Sequence, residues 1–456
     1  MILDSWGRYP QTIATVLEPL DGPALERLLQ AHAKEGEMIA RGAGRSYGDS
    51  ALAERVMSSR FLDSFLSLDC ENGVVHCGAG VNLSALLKVA IANKLFVPVL
   101  PGSKFVTVGG AIAADVHGKN HHLDGSFCDH VVGFNLLLAS GECVYCSETE
   151  NTELFHASCG GMGLTGIILD AKLKLKDVPG VFINRQSIVS ENLASTFQIL
   201  EENQASTYSV AWLDCLARGK SLGRSLVFLG DHASNHKFEA KTRKGINVPI
   251  TTPSFLLNKY SMSLFNSSYF HLKKLLPKSD TVNYDSYFFP LDNIGNWNRL
   301  YGRNGFLQYQ FVVPTQSAFT SITQVLEKVS ATGKGSFLSV LKKFGKANKN
   351  WLSFPLEGYT LTLDFKREKS LFPLLDELDQ IVLKHGGRLY LAKDARMAEG
   401  TFKQSYPNWE KFLTLKKSID PENVFGSLQS NRIGLTIEKI KKDKKDIKDI
   451  KDIKRA

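Results

Sequence analysis

The sequence predicts an α+β protein of two domains, in which an antiparallel sheet covered by helices follows a glycine-rich N-terminal domain. Glycine-rich segments occupy residues 41–49, 97–130 and 159–166, and each adjoins strand-like runs. Strand-like and helical runs alternate from residue 178 to 386, and an antiparallel sheet with helices on it is the natural packing for them. A chain of 456 residues with 43% hydrophobic content is long enough to bury two cores.

The first domain is predicted to span residues 1–177 and to begin with a helix and a strand. Leu25, Leu28 and Leu29 have helical spacing after a turn at residues 21–23. A strand at residues 37–41 then runs into the sequence RGAGRSYGD, whose successive backbone N–H groups can hold a pyrophosphate. It is not a Rossmann fingerprint, because the last glycine spacing is wrong and no amphipathic helix follows.

Residues 97–130 are the segment around which the chain is organised. Glycine and alanine crowd its first half, and glycine lets the backbone approach a large ligand closely. A polar cluster follows directly, formed by Asp115, His117, Lys119, Asn120, His121 and His122. We interpret the segment as the wall of a cofactor site with the reactive end near His117. The alternative is a helix-packing turn followed by a solvated polar loop.

Residues 131–177 are predicted to complete this domain with two strands about a turn at residues 140–142, a short helix and a further strand. Gly161, Gly163 and Gly166 satisfy G-x-G-x-x-G. Here a helix precedes the motif and a strand follows it, which is the reverse of a dinucleotide fold. A nicotinamide site is therefore not expected.

The rest of the chain is divided into three parts. Residues 178–386 are predicted to form the substrate domain, and residues 387–435 to return to the first domain through the strand RLYLAKDAR and an aromatic helix. This return would bring Tyr390 and Lys393 to the cofactor. Residues 436–456 are basic and of low complexity, which predicts a frayed helix or a disordered extension.

Charge and cysteine content exclude several classes of protein. The formal charge is +9, but residues 438–456 alone contribute nine Lys or Arg against five Asp or Glu. The remaining charge is too diffuse to follow a nucleic acid. Seven scattered cysteines with one isolated C-x-x-C fit reduced thiols and no zinc site. Without an apolar span or a signal peptide, the protein is expected in the cytoplasm or peripherally on the inner membrane, with the periplasmic face left open.

Several of these segments resemble the flavoprotein family of vanillyl-alcohol oxidase and p-cresol methylhydroxylase, and within it the decaprenylphosphoryl-β-D-ribose 2′-oxidases. The resemblance extends from residue 6 to about 435. Its narrow signals are HGKNHH at residues 117–122 and YLAKD at residues 390–394. The blocks RGAGRSYGD, LPGSKFVTVGG and GGMGLTGI indicate only the broad family.

The resemblance implies a two-domain flavoprotein whose FAD-binding domain is formed from both chain ends, beside an antiparallel-sheet substrate domain. Many relatives tether the flavin through a histidine in the first glycine-rich loop, where this chain has Arg45. We therefore expect non-covalent FAD, bound by Arg41, Gly42, Ala43, Gly44, Arg45, Ser46, Tyr47, Gly48, Asp49, Gly102, Thr107, Val108, Gly109, Gly110, Ala114, Asp115, His117, Gly118, Ile167 and Tyr390.

The implied reaction is oxidation of the 2′-hydroxyl of a polyprenyl-phosphoryl pentose to the keto sugar, the first half of an epimerisation to arabinose. Lys393 is the first candidate for a catalytic role, because a lysine can stabilise charge on reduced flavin or act as a base if burial lowers its pKa. His117 is the second. A lysine on an edge strand and a histidine satisfied by backbone are their structural alternatives.

Six residues are expected to bind substrate. Gln308 and Gln310 alternate with a tyrosine on one strand, so their amides share a side. Lys119 and Lys342 are candidates to pair with phosphate, although Lys342 could belong to a solvated pair. Thr362 and Asp364 complete the set. Inhibitor-sensitive family members have a cysteine at the position of Thr362, so covalent labelling by activated nitroaromatics is not expected here.

The expected partners are a lipid-linked sugar, a membrane surface and a short-chain reductase that completes the epimerisation; nucleic acid is not expected. Residues 254–279 offer many large apolar groups beside lysines, as in a lid at a lipid surface. The alternative for this segment is an ordinary amphipathic helix. The alternatives for the whole chain are a sugar, alditol or aldonolactone oxidase that uses O₂ and a non-catalytic sugar-binding module.

Overall fold

A computed structural model describes residues 1–234, 237–238, 245–275 and 277–436. The N-terminal 177 residues form, in order, β1 (Ile2–Asp4), β2 (Gln11–Ile13), β3 (Thr15–Leu17), α1 (Gly22–His32), β4 (Met38–Arg41), β5 (Arg55–Ser58), β6 (Phe65–Asp69), β7 (Val74–Gly78), α2 (Leu83–Ala92), β8 (Leu95–Phe96), α3 (Val108–Ala113), α4 (His121–Asp124), β9 (Val131–Leu137), β10 (Cys143–Cys146), α5 (Thr152–Ser158), β11 (Ile167–Lys174) and β12 (Lys176–Asp177).

The following residues form a second series of longer strands and helices. In chain order these are β13 (Phe182–Ser190), α6 (Leu193–Glu202), β14 (Tyr208–Leu213), β15 (Ser225–His232), β16 (Ile246–Asn247), α7 (Lys259–Lys274), β17 (Ser279–Asn283), α8 (Tyr284–Phe288), β18 (Ile294–Gly295), β19 (Phe306–Pro314), α9 (Thr315–Thr332), β20 (Ser339–Phe344), β21 (Gly358–Lys366), α10 (Leu371–Lys384), β22 (Arg388–Leu389), α11 (Glu399–Ser405), α12 (Trp409–Ile419) and α13 (Leu428–Arg432).

Two main sheets form the N-terminal domain. Strands β3, β5 and β4 are parallel, and the larger antiparallel sheet has the order β10-β9-β11-β7-β6. Helix α1 buries Leu25 and Leu29 in a cluster that includes Met38 of β4 and Leu137 of β9, so its apolar face joins the two sheets. The predicted strands around residues 140–142 are confirmed as the β9–β10 hairpin.

The second domain is built on an eight-stranded sheet of order β17-β13-β15-β14-β20-β21-β19-β22, in which every pairing is antiparallel. Strands β19 and β21 are buried over eight of their nine residues. Helices α6, α9 and α10 pack against this sheet. The predicted α+β class, with an antiparallel sheet covered by helices, is confirmed.

The C-terminal segment completes the N-terminal domain. Met38 forms a parallel bridge with Phe425: its N–H donates to the Val424 carbonyl at 2.7 Å, and its carbonyl accepts from Gly426 N–H at 2.9 Å. The Tyr47 N–H donates to the Ala392 carbonyl at 3.0 Å. The N-terminal domain is therefore formed from both ends of the chain.

Two elements of the C-terminal segment differ from the prediction. The strand expected at RLYLAKDAR is limited to β22, because the next residues close a turn in which Lys393 N–H donates to the Tyr390 carbonyl. Lys393 therefore lies on a turn, which rules out the edge-strand alternative. The single aromatic helix is two helices, α11 and α12, with Tyr406 between them.

Two observations bear on the predicted tail and on the predicted absence of a membrane span. The tail expected at residues 436–456 lies, from residue 437 onward, outside the described residues. Within the part of the chain that the structure describes, no helix has both the length and the apolar character needed to cross a bilayer.

Candidate active site

One cavity of about 1230 Å³ lies between the glycine-rich segments of the N-terminal domain and the eight-stranded sheet. Its volume is above the range of about 300–1,000 Å³ that is usual for small-molecule sites. Residues 42–47, 100–119 and 162–168 contribute to one part of its wall. Strands β19, β20 and β21, the turn at Lys393 and residues 256–273 contribute to the rest.

The loop after β4 brings bare backbone to the cavity. Within the described chain, the N–H groups of residues 42–46 donate to no protein acceptor. Arg41 turns away, because its guanidinium donates to the carbonyls of Asp4 at 2.8 Å and Ala51 at 3.2 Å. Gly44 has a φ of +62°, which favours glycine. Five successive free donors suit a pyrophosphate.

Close packing explains two further glycines of this wall. A Cβ on Gly42 would lie 2.2 Å from the Thr107 hydroxyl, and one on Gly109 would lie 2.9 Å from the Ala79 methyl. The Thr107 hydroxyl also accepts from Gly110 N–H and so begins α3. Val108 of the same helix is fully buried in the core and does not reach the cavity.

Two carboxylates near this wall bind a protein guanidinium instead of facing the cavity. Asp49 pairs with Arg432, which also pairs with Asp394, at 2.6 Å and 2.9 Å respectively. Gly48 packs against the same turn, where a Cβ would lie 1.6 Å from the Asp394 carbonyl oxygen. We call Asp49, Asp394 and Arg432 the C-terminal clasp. It joins the first glycine-rich loop to the turn that carries Lys393.

Asp115 holds the connection between β20 and β21 against the N-terminal domain. Its carboxylate accepts from Cys128 N–H at 3.0 Å, Asn348 Nδ2 at 2.7 Å and the Ser353 hydroxyl at 2.6 Å. It is fully buried with a φ of +39°. Its carboxylate oxygens are therefore occupied by protein donors from both domains.

His117 lies at the boundary between the two walls. Gln310 Nε2 donates to His117 Nε2 at 3.0 Å, which assigns the proton to Nδ1, and Nδ1 has no hydrogen-bond partner among the described residues. Burial, with Lys342 adding to it, holds the pKa of His117 well below its usual value. The imidazole is therefore neutral. The Tyr390 ring lies 5.1 Å from it, and the Tyr390 hydroxyl donates to the Ala114 carbonyl at 2.9 Å.

Lys393 faces the cavity with its ammonium 3.8 Å from the centre of the Tyr47 ring. Burial lowers the pKa of Lys393 to about 7, while Asp364 raises it and Lys342 lowers it further. Asp364 lies behind the wall and accepts from Gln308 Nε2 at 2.6 Å. Burial raises the pKa of this carboxyl to about 7. The pair therefore titrates near neutrality.

Two more lysines reach the same cavity. Lys119 donates to the Tyr287 carbonyl, and burial lowers its pKa to about 7. Lys342 has no hydrogen-bond or ion-pair partner among the described residues, and burial lowers its pKa to about 8. Thr362 lies on the neighbouring strand β21 and also lines the cavity. Lys342 is therefore not part of a solvated pair.

Most of the predicted site residues lie on this one cavity. Those that line it are Gly42, Ala43, Gly44, Arg45, Ser46, Tyr47, Gly102, Thr107, Gly109, Gly110, Ala114, His117, Gly118, Lys119, Ile167, Gln308, Gln310, Lys342, Thr362, Tyr390 and Lys393. Those that do not are Arg41, Gly48, Asp49, Val108, Asp115 and Asp364. Of the histidines after His117, His121 accepts from Gly345 N–H and His122 contacts the Ser206 carbonyl, so both are structural.

Sequence reasoning missed two groups on the wall. Gly163, Thr165 and Gly166 line the cavity. They belong to the G-x-G-x-x-G motif that is not expected to bind a nicotinamide. The glycines of this motif were the sequence feature that could have predicted their place on the cavity wall. Arg185 and Trp212 also line it. They lie on ordinary strands of the second sheet, and nothing in the local sequence distinguishes them.

The residues on this wall fit FAD. The backbone N–H groups of residues 42–46 and the Nδ1–H of His117 have no acceptor in the part of the chain that the structure describes; the former suit the pyrophosphate, and the latter is available to a polar ring atom. A Cβ on Gly102 would meet no protein atom within 4 Å, so that glycine leaves open space on the wall. Among the described residues, His, Cys, Asp and Glu side chains form no cluster that could hold a metal ion.

Comparison with known proteins agrees with this geometry. The pattern of an FAD binding domain matches residues 14–147, and that of D-arabinono-1,4-lactone oxidase matches residues 360–433. Decaprenylphosphoryl-β-D-ribose oxidase of Mycolicibacterium smegmatis is 37% identical over 95% of this chain and 97% of its own length. The chain belongs to the decaprenylphosphoryl-β-D-ribose oxidase family. Its members are FAD-dependent oxidoreductases, and FAD is the cofactor of this protein.

Two other relatives show how far the similarity extends beyond the decaprenylphosphoryl-β-D-ribose oxidase family. An uncharacterised protein of Streptomyces coelicolor is 31% identical over 78% of this chain and all of its own length. L-gulono-1,4-lactone dehydrogenase of Mycobacterium tuberculosis is 20% identical over 94% of this chain and 98% of its own length. The chain is therefore similar to sugar-lactone enzymes along most of its length, at a lower identity.

Proposed function

We propose that the protein oxidises the 2′-hydroxyl of a polyprenyl-phosphoryl pentose such as decaprenylphosphoryl-β-D-ribose to the 2′-keto sugar. The observation that carries the proposal is the composition of one cavity. Glycine-rich backbone lines one part, three half-buried lysines line another, and apolar side chains of residues 256–269 line a third. These parts suit a cofactor, a phosphorylated sugar and a lipid chain respectively.

Lys393 is the proposed base. An alcohol loses a proton from oxygen and a hydride from carbon, and bound FAD supplies the hydride acceptor. Because burial lowers the pKa of Lys393 to about 7, a large share of the amine is neutral near pH 7 and can accept the hydroxyl proton. Tyr47 and the turn at residues 390–394 hold the amine in place.

The other cavity residues bind and orient the substrate in this proposal. Lys342 and Lys119 attract the phosphate, and Lys342 has no hydrogen-bond or ion-pair partner among the described residues that would compete for it. Gln308 is held by Asp364, and Gln310 donates to neutral His117, so both amides have fixed orientations. Such preorganised donors select one arrangement of sugar hydroxyls. Asp364 acts through Gln308 and Lys393.

The proposal also covers the binding state of FAD and the protein's surroundings. FAD is bound without a covalent bond, since Arg45 stacks on the Trp6 ring at 4.4 Å where relatives carry a tethering histidine. The enzyme works peripherally at a membrane surface, where its lipid substrate resides. A separate reductase returns the keto sugar to an alcohol of inverted configuration. Both partners follow from the chemistry of substrate and product.

Reduction of the bound flavin by candidate substrates tests this function. Under anaerobic conditions, decaprenylphosphoryl ribose should bleach the oxidised flavin of the wild-type protein. Lys393→Ala should keep its FAD but lose about 10²- to 10⁴-fold in the rate of bleaching. Near-normal bleaching of this variant would remove Lys393 as the base and leave His117 as the candidate.

The second candidate function is oxidation of a soluble sugar lactone or alditol. The matches to D-arabinono-1,4-lactone oxidase and to L-gulono-1,4-lactone dehydrogenase favour it. Aldonolactones and alditols belong in the same bleaching panel. Rapid bleaching by one of them, together with none by polyprenyl-phosphoryl pentoses, would replace the first proposal with this one. A protein purified without flavin would contradict both.

A further inference from the structure

Exposed apolar side chains are concentrated in one short part of the chain. Of the eighteen large hydrophobic side chains that are exposed among the described residues, nine lie between residues 246 and 275. The other nine are spread from Met1 to Phe319. We call the nine the outer apolar surface: Ile246, Ile250, Phe255, Leu256, Tyr260, Leu264, Phe265, Leu272 and Leu275. Such a concentration marks a contact site, whereas single exposed residues do not.

Helix α7 has three distinct faces. Met262, Asn266 and Phe270 are buried against the second sheet. Tyr260 and Leu264, four residues apart, point to solvent with 74% and 70% of their surface exposed. An ordinary amphipathic helix would place polar residues on that outward face. The outward face of α7 therefore carries large apolar side chains beside exposed polar ones such as Ser263 and Ser268.

The third face of the helix lines the cavity of the active site. Phe265 and Tyr269 lie on the cavity wall with parallel rings whose centres are 6.0 Å apart. Phe265 is also 47% exposed, and Leu256, another wall residue, is 50% exposed. These two side chains belong to both surfaces. Leu256 and Phe265 therefore connect the solvent-exposed surface with the cavity wall.

Basic residues predominate in the segment that carries the outer apolar surface. Residues 245–275 and 277–279 contain four lysines and no Asp or Glu, and one of the four, Lys274, pairs with Glu191 at 2.9 Å. Lys273 of this segment lines the cavity. A second copy of the chain would present the same positive charge, and like charges across an interface are repelled. Apolar side chains surrounded by lysine match the boundary of an anionic lipid bilayer.

We propose that the outer apolar surface docks on an anionic membrane and that the polyprenyl chain enters the cavity from the bilayer past Leu256 and Phe265. Full extraction of a lipid chain into water costs about 0.8 kcal/mol for each CH₂. An opening that faces the bilayer avoids that exposure. The docking is argued from the outer apolar surface alone, whereas the route of entry rests on the proposed function.

Flotation with vesicles tests the docking. The test variant carries Tyr260→Ser, Leu264→Ser and Leu272→Ser, none of which lines the cavity. The matched control carries Ile13→Ser, Leu66→Ser and Phe319→Ser, three exposed residues elsewhere. Wild type and control should float with vesicles of phosphatidylglycerol and phosphatidylcholine. The fraction of the test variant that floats should be lower by about tenfold or more. Vesicles of phosphatidylcholine alone should bind wild type less.

Three outcomes would overturn the docking. The test variant could float as well as wild type, wild type could ignore anionic vesicles, or wild type could self-associate through this surface in sedimentation while the test variant does not. Flavin bleaching by a short-chain polyprenyl-phosphoryl ribose in detergent separates this result from the proposed function. Test variant and wild type should bleach alike. If neither bleaches but flotation follows the expected pattern, the proposed substrate is wrong and the docking stands.

Discussion

The protonation of the cavity lysines is set by what surrounds each of them. Lys119, Lys342 and Lys393 are half-buried, and desolvation lowers the pKa of each below the usual value for lysine. Among these three lysines of the described chain, Lys393 alone has a carboxyl, that of buried Asp364, that raises its pKa. The three lysines thus share one cavity but differ in the charged group that acts on them. Removing the carboxylate of Asp364 or the ammonium of Lys342 should therefore shift the pKa of Lys393 in opposite directions.

The rate of flavin reduction at saturating substrate should rise with pH through about 7, because the neutral amine of Lys393 accepts the proton. The midpoint belongs to the coupled Lys393–Asp364 pair. Asp364→Asn removes a negative charge that raises the pKa of Lys393, so the midpoint should move to lower pH. Lys342→Met removes a positive charge that lowers the pKa of Lys393, so the midpoint should move to higher pH.

Stopped-flow measurement of the two variants over a pH series checks these signs. Thr362→Ser, on the same cavity wall but without a charge, is the control and should leave the midpoint in place. Shifts of both charge variants in one direction would show that the observed midpoint does not belong to Lys393.

At the scale of the elements, the C-terminal clasp connects two loops that carry different parts of the site. Helix α13 supplies Arg432, the first glycine-rich loop supplies Asp49, and the turn with Lys393 supplies Asp394. Gln429 of the same helix donates to the Leu391 carbonyl at 2.7 Å. The position of the turn relative to the loop therefore depends on α13.

Arg432→Met should destabilise the protein by about 3–5 kcal/mol, because it leaves two buried carboxylates without their partner. FAD binding should weaken as well, since the first glycine-rich loop loses its support. Denaturant titration of the apoprotein and FAD titration measure the two effects. Lys403→Met, which breaks an exposed pair with Glu399, is the control and should cost about 0.5 kcal/mol or less. Equal losses in both variants would contradict a special role of the clasp.

At the scale of the whole molecule, the sequence was sufficient for the class of fold and for most residues on the cavity. Glycines at 42, 44, 109 and 110 could be predicted because backbone approach to a ligand needs no distant partner. The hydrogen-bond partners of the carboxylates Asp49, Asp115 and Asp364 could not be predicted. Their partners Arg432, Asn348 and Gln308 are between 56 and 383 residues away, and local sequence carries no sign of such pairing. Lys393 was found through its motif, but its turn depends on contacts of the folded chain.

The whole protein is predicted to hold one FAD without a covalent bond. Acid precipitation of the purified protein should give a yellow supernatant and a colourless pellet. Removal of FAD should also lower the melting temperature, because a ligand that binds only the folded state stabilises it by mass action. Colour that stays in the pellet would instead indicate a tether, with His117 as the histidine on the cavity wall.

The bridge between Met38 and Phe425 has a consequence for synthesis of the protein. Strand β4 and the glycine-rich loop after it leave the ribosome early, but the strand's partner is almost 390 residues further along the chain. Domains at the N-terminus usually fold first during translation. The clasp and the bridge can close only when α13 has emerged. We therefore expect uptake of FAD to be a late step of folding, and the long loop that must close first to make it slow.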